Sequence, residues 1–131
     1  MAYAYEQPNG QVALCSLSSS IPTGARWHRV STLPEGTLFR DAWVLEEGGV
    51  VGVNLTKAKT LAHEWRRNHR DKLMAPWDKT VAEKIPGKCP VVAEAERVHI
   101  RIDNGQTQRE IDFAQSVEDL AQVVKFSGVA A

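Results

Sequence analysis

The residues of this chain best suited to chemistry lie in one stretch, His63-Glu64-Trp65-Arg66-Arg67-Asn68-His69-Arg70. Two histidines near a glutamate invite comparison with a zinc site of the H-E-x-x-H kind, whose imidazoles sit four residues apart on one helix face. Here they are six apart, about 120° from each other around a helix, and Arg67 stands where the second ligand belongs. No metal site is expected. His28, between Trp27 and Arg29, and His99 have no nucleophile near them in sequence, and there is no G-x-S-x-G elbow. Asp103, Glu110 and Asp112 are too loosely spaced to hold a metal and are expected to solvate an acidic end. Gly48-Gly49 lies between strands rather than ahead of a helix, so it does not form a phosphate loop. No catalytic or cofactor-binding residue is assigned, no cofactor is expected, and the chain is not read as an enzyme.

What remains is charge. Lys59, His63, Arg66, Arg67 and Arg70 fall within a sector of about 100° on a helical wheel. The bland reading is a solvated polar face. The functional reading is a surface for an acidic partner, with Trp77 just beyond it as an aromatic anchor. Nucleic acid is not the expected partner, because the formal net charge is zero and no stacking aromatic lies beside the arginines.

The elements that must position these residues are legible from caps, turns and periodicity. Residues 2–6, around Tyr3 and Tyr5, and Gln11–Leu17 alternate on either side of Pro8-Asn9-Gly10, which predicts a hairpin. Ser18-Ser19-Ser20 and Pro22-Thr23-Gly24 predict a loop, followed by the short stretch Ala25–Val30. Phe39–Leu45 and Val50–Val53 flank Glu46-Glu47-Gly48-Gly49 as a second hairpin.

Asn54 then stands at the N-cap of a long helix, where its side chain accepts from an otherwise orphaned backbone N–H. Leu55, Ala58, Leu61, Ala62, Trp65, His69 and Leu73 share the apolar face of that helix, and Pro76 is expected to end it. Lys79–Ile85 is a short amphipathic piece before the breakers Pro86-Gly87 and Pro90. Val91–Ile102 is ambiguous. Val98, Ile100 and Ile102 alternate as in a strand, whereas Ala93–Arg97 favours helix, and Asp103-Asn104-Gly105 is expected to turn either way. Ser116 caps a final helix with Val117, Leu120, Ala121 and Val124 on one face.

The expected fold is α+β, with N-terminal antiparallel hairpins, one long central amphipathic helix and a short C-terminal helix. Residues 1–78 form the hairpin and long-helix part, and 79–131 a smaller C-terminal part of the same compact unit. Charge is unevenly spread. Residues 1–54 carry a balance of −2, residues 55–74 one of +4, and the chain from Glu94 onward one of −3. Such a pattern can pair within the fold or between subunits. Cys15 and Cys89 sit in no recognisable motif and are expected as lone thiols. The first residues lack the basic and apolar regions of a secretory leader, and no apolar run approaches the ~20 residues of a membrane span.

Phe39-Arg40-Asp41-Ala42-Trp43, then Val51-Gly52-Val53-Asn54-Leu55, then Lys57-Ala58-Lys59 and an arginine-rich helix closing on Leu73 and Trp77-Asp78, resembles small proteins encoded among bacteriophage tail genes. Arg67-Asn68-His69-Arg70-Asp71-Lys72-Leu73 is similar to the helix of phage tail assembly chaperones. Ser116–Leu120 is similar to their short closing helix, and Tyr3–Leu17 to their N-terminal strand pair. The resemblance implies a non-enzymatic structural or assembly protein of the virion or host cytoplasm. Its partners would be phage tail, fibre or baseplate proteins, with a homo-oligomer also open. The alternative is a phage-encoded regulator or inhibitor that binds a host protein or nucleic acid through the basic helix face.

Overall fold

A computed structural model describes residues 2–34, 36–83 and 90–129. The architecture is α+β: small antiparallel sheets, then three helices, the first of them long. The chain divides into two compact units, Met1–Leu61 and Ala62–Ala131. The division falls inside the long helix rather than at the 78/79 boundary expected from sequence.

In the first unit, β1 (Tyr3–Glu6) pairs antiparallel with both β2 (Val12–Cys15) and β3 (Trp27–Arg29), giving the order β2-β1-β3. The Pro8-Asn9-Gly10 turn closes as expected: Asn9 Oδ1 accepts from the Gln11 backbone N–H at 3.0 Å, and Gly10 takes a positive φ. Alternation sends Ala4 inward, while Tyr3 packs edge-on against Trp27 with ring centroids 5.9 Å apart. A second antiparallel pair, β4 (Trp43–Leu45) with β5 (Val51–Val53), supplies the other half of the core. Ala4, Val12, Trp43, Leu45 and Val51 are buried together, with Val30 and Val53 against them.

The Phe39–Trp43 phrase has a plain structural reading. Phe39, Ala42 and Trp43 are buried, and the Arg40 guanidinium covers the Trp43 ring at 4.3 Å as a cation–π lid. The Ala42 carbonyl accepts from the Asn54 N–H at 3.0 Å, and Asn54 Oδ1 in turn accepts from Lys57 N–H at 2.9 Å. Strand and helix cap are thereby joined, and the cap lies where the sequence places it.

α1 runs Leu55–Glu83, straight through Pro76. The expectation that Pro76 ends the helix is therefore corrected. A proline costs the helix one hydrogen bond and about 3 kcal/mol, and the helix continues through it nonetheless. Thr80 Oγ1 donates to the Pro76 carbonyl at 3.0 Å, and Thr80 is itself buried. The expected short piece from Lys79 is the last part of this helix. Pro86-Gly87 and Cys89 lie outside the described residues.

α2 runs Pro90–Phe113, so the expected turn at Asp103-Asn104-Gly105 is corrected as well. Gly105 weakens a helix by only about 1 kcal/mol relative to alanine, and Asn104 is held by a contact from α1 described below. The strand-like alternation of Val98, Ile100 and Ile102 is resolved by the same helix. Residues two apart project about 160° from each other, so Ile100 is partly buried while Val98 and Ile102 are exposed.

α3 (Val117–Ser127) is capped by the Ser116 side chain, which accepts from Asp119 N–H at 3.1 Å, and it ends at Gly128 in the left-handed conformation. Its Leu120 and Val124 are fully buried, as is Ile111 of α2, against which α3 packs. Cys15 is a free thiol whose Sγ donates to the Leu17 carbonyl at 3.3 Å. No helix among the described residues is long and apolar enough to cross a membrane.

The β4–β5 turn yields the first prediction. Gly48 and Gly49 both hold positive φ, but a Cβ on Gly49 would lie 2.1 Å from the Arg29 carbonyl oxygen, whereas one on Gly48 would meet nothing. Gly49→Ala should destabilise by about 3 kcal/mol or more, and Gly48→Ala by about 1 kcal/mol. Urea unfolding midpoints decide it. Equal midpoints would show that the Arg29 backbone can move aside.

Candidate functional site

The second unit holds most of the residues singled out from sequence. α1 and α2 are antiparallel there, as the pairs His63–Asp112 near one end and Asp78–Arg97 near the other require. Arg66, expected on the solvated basic face, is 5% exposed. Its Nε donates to His63 Nδ1 at 3.2 Å and its NH1 nitrogen to Asn104 Oδ1 at 3.0 Å. His63 reaches Asp112 from its other nitrogen, with Nε2 and Oδ1 2.7 Å apart.

The chemistry of this cluster follows from its donors. A guanidinium has no acceptor to offer, so His63 Nδ1 must present its lone pair to Arg66, and the imidazole proton sits on Nε2, donating to Asp112. Both ring nitrogens are thus engaged by partners within the cluster. Burial first, and then the Arg67 and Arg70 charges, hold the Arg66 pKa below its ordinary value; Asp112 acts in the opposite sense. A guanidinium remains charged at neutral pH regardless.

The basic face is therefore divided. Arg66 turns inward and His63 is largely covered by its two partners. Arg67 is exposed, and Arg70 lies against Asp71, its neighbour in sequence, at 3.1 Å. Trp77 is half-buried. Lys59 belongs to the first unit and is also half-buried. Of the carboxylates expected merely to solvate the acidic end, Asp112 is the partner of His63, while Glu110 accepts from Gln106 at 3.4 Å. Among the described residues no group of three or more His, Cys, Asp or Glu is placed to hold a metal ion.

Sequence reasoning did not single out the other distinctive surface of this unit, the outer side of α2. On the inner side of that helix Arg97 is held by Glu94 at 2.7 Å and by Asp78 of α1 at 2.8 Å. The Asp78 contact is Coulombic, since the Arg97 Nε–H makes no aligned hydrogen bond. Beside this network Val81, Val91, Ala95 and Val98 line an open apolar groove of about 480 Å³, with Glu94 on its edge. Val91, Ile102 and Phe113 are largely exposed, and Phe126 of α3 is 98% exposed. The signal lay in the strand-like alternation, which marks a helix with apolar residues on two faces.

Comparison with known protein families, curated proteins and solved structures found no match to this chain.

Arg66 and Arg67 should separate cleanly in stability. Arg66→Ala and His63→Ala each strip partners from buried polar groups and should destabilise by about 1–3 kcal/mol. Arg67→Ala should stay within about 0.5 kcal/mol of the wild type. In a double-mutant cycle, His63 and Arg66 should couple by more than about 0.5 kcal/mol. Full additivity in thermal unfolding would mean that His63 and Arg66 act independently in joining α1 to α2 through Asp112 and Asn104.

Proposed function

We propose that this chain is a non-enzymatic protein-binding module of the bacteriophage tail type, which attaches to tail, fibre or baseplate proteins during assembly or in the particle. One observation carries the binding reading: the helical unit leaves large apolar side chains in water, with Phe126 98% exposed, Val91 76% and Phe113 74%. A monomer with nothing to bind has little reason to hold several such groups outside, because each one forgoes roughly 1.5–3 kcal/mol of burial. Arg67 and Arg70 lie on the same unit and supply positive charge that steers an acidic protein surface toward it. The phage assignment itself rests on the sequence phrases from Phe39 to Asp78. The regulator alternative would reach nucleic acid through the basic face, from which Arg66 is withdrawn.

Co-expression with phage tail, fibre and baseplate proteins, followed by affinity capture, tests the reading. Wild-type protein should retain one of them. Phe126→Asp and the pair Arg67→Glu, Arg70→Glu should lose it while keeping the wild-type melting temperature. Retention of duplex or single-stranded DNA instead, weakening steeply as salt rises, would replace this reading with the regulator.

A further inference from the structure

α2 carries two heptad seams. Ala93, Arg97, Ile100, Asn104, Thr107 and Ile111 recur at spacings of four and three, and each is buried or half-buried. Val91, Ala95, Val98 and Ile102 repeat the same spacing two residues earlier, which places them about 160° away on the opposite side of the helix. Val91 is 76% exposed, Ile102 60% and Val98 43%. An apolar run at this spacing is what the knobs of another helix fit.

We infer that the outer seam of α2 binds a second copy of this chain, α2 against α2 in antiparallel orientation. This names one partner for the apolar surface of the protein-binding reading, and rests on that reading. The charges at the edge of the seam select both the occupant and its direction. Glu94 and Arg101 flank the same edge one heptad apart, and within one chain they approach to 3.7 Å. A two-fold axis that sets Val91 over the partner's Ile102, and Ala95 over the partner's Val98, brings Glu94 of each copy beside Arg101 of the other. Two inter-chain ion pairs then form for every four apolar layers.

A parallel pairing loses that match, because Glu94 would face His99 and Arg101 would face Gln106. Val92, also exposed, lies on the other edge, where the antiparallel pairing sets it beside His99. With only four apolar layers the seam is short against the ~800 Å² per partner of a standard stable interface. The dimer is accordingly a concentration-dependent one.

Sedimentation velocity on the full chain, from micromolar to submillimolar concentration, tests the inference. The wild type should move from its 14.5 kDa monomer toward twice that mass. Val98→Glu and Ile102→Glu, both on the exposed side, should remain monomeric with unchanged helical circular dichroism. Arg101→Glu and Glu94→Arg should each weaken association by tenfold or more, and the two together should restore it. A monomer at every concentration overturns the inference, as does a dimer that survives Ile102→Glu. A double swap that fails to restore association overturns the antiparallel arrangement. A wild type that stays monomeric yet captures a tail protein leaves the protein-binding reading standing, and a dimer that captures none separates the two in the opposite direction.

Discussion

A guanidinium taken out of water must be surrounded by acceptors, and in the helical unit that requirement fixes how α1 and α2 meet. Arg66 finds its acceptors on His63, one turn earlier in its own helix, and on Asn104 of α2. His63 passes the connection on to Asp112. Shifting α2 by one residue would rotate Asn104 and Asp112 by about 100° and strand the charge. The apolar residues nearby could not set the register alone. Ala62 and Ala93 are buried but small, and small side chains tolerate sliding. At the far end Arg97, between Asp78 and Glu94, repeats the arrangement with the charges exchanged: the arginine is on α2 and a carboxylate on α1. Register is thus fixed at two points about three helical turns apart.

The first unit uses a different constraint. Its strands are three or four residues long, too short to hold together by ladder bonds alone. Closure comes from Trp43, buried between Arg40 and the residues of the small core, and from the close pass of Gly49 over the Arg29 carbonyl. Ser31 secures the same crossing twice: its N–H donates to the Gly49 carbonyl at 2.9 Å and its hydroxyl to the Gly48 carbonyl at 3.0 Å. Only a residue without a Cβ permits that approach.

Local features were legible in the sequence because their causes are local. The Asn54 and Ser116 caps, the Pro8-Asn9-Gly10 turn and the buried stripe of α3 each depend on residues within one or two turns of one another. Pro76 and Asp103-Asn104-Gly105 carry breaker propensities that the helices override, in the second case with the Arg66–Asn104 contact from α1. Arg66 misled for a related reason. It lies 80° from Ala58 on the wheel, at the margin of the apolar face, and whether such a residue turns in or out depends on the acceptor opposite. That acceptor, Asn104, is 38 residues away, in a stretch whose local propensity is for a turn.

The two faces of α2 invert the usual arrangement of a surface helix. Its inner seam mixes Arg97, Asn104 and Thr107 with Ile100 and Ile111, whereas its outer seam, from Val91 to Ile102, has no polar residue. A polar inner seam fixes geometry but contributes little burial, and the fully buried large side chains of the whole chain are Ile111, Leu120 and Val124 among the described residues. A helix arranged this way is only partly satisfied by its own unit. Its directional contacts point inward and set one register, while its non-directional attraction points outward. Directional contacts and exposed apolar surface are thereby separated onto opposite sides of one element.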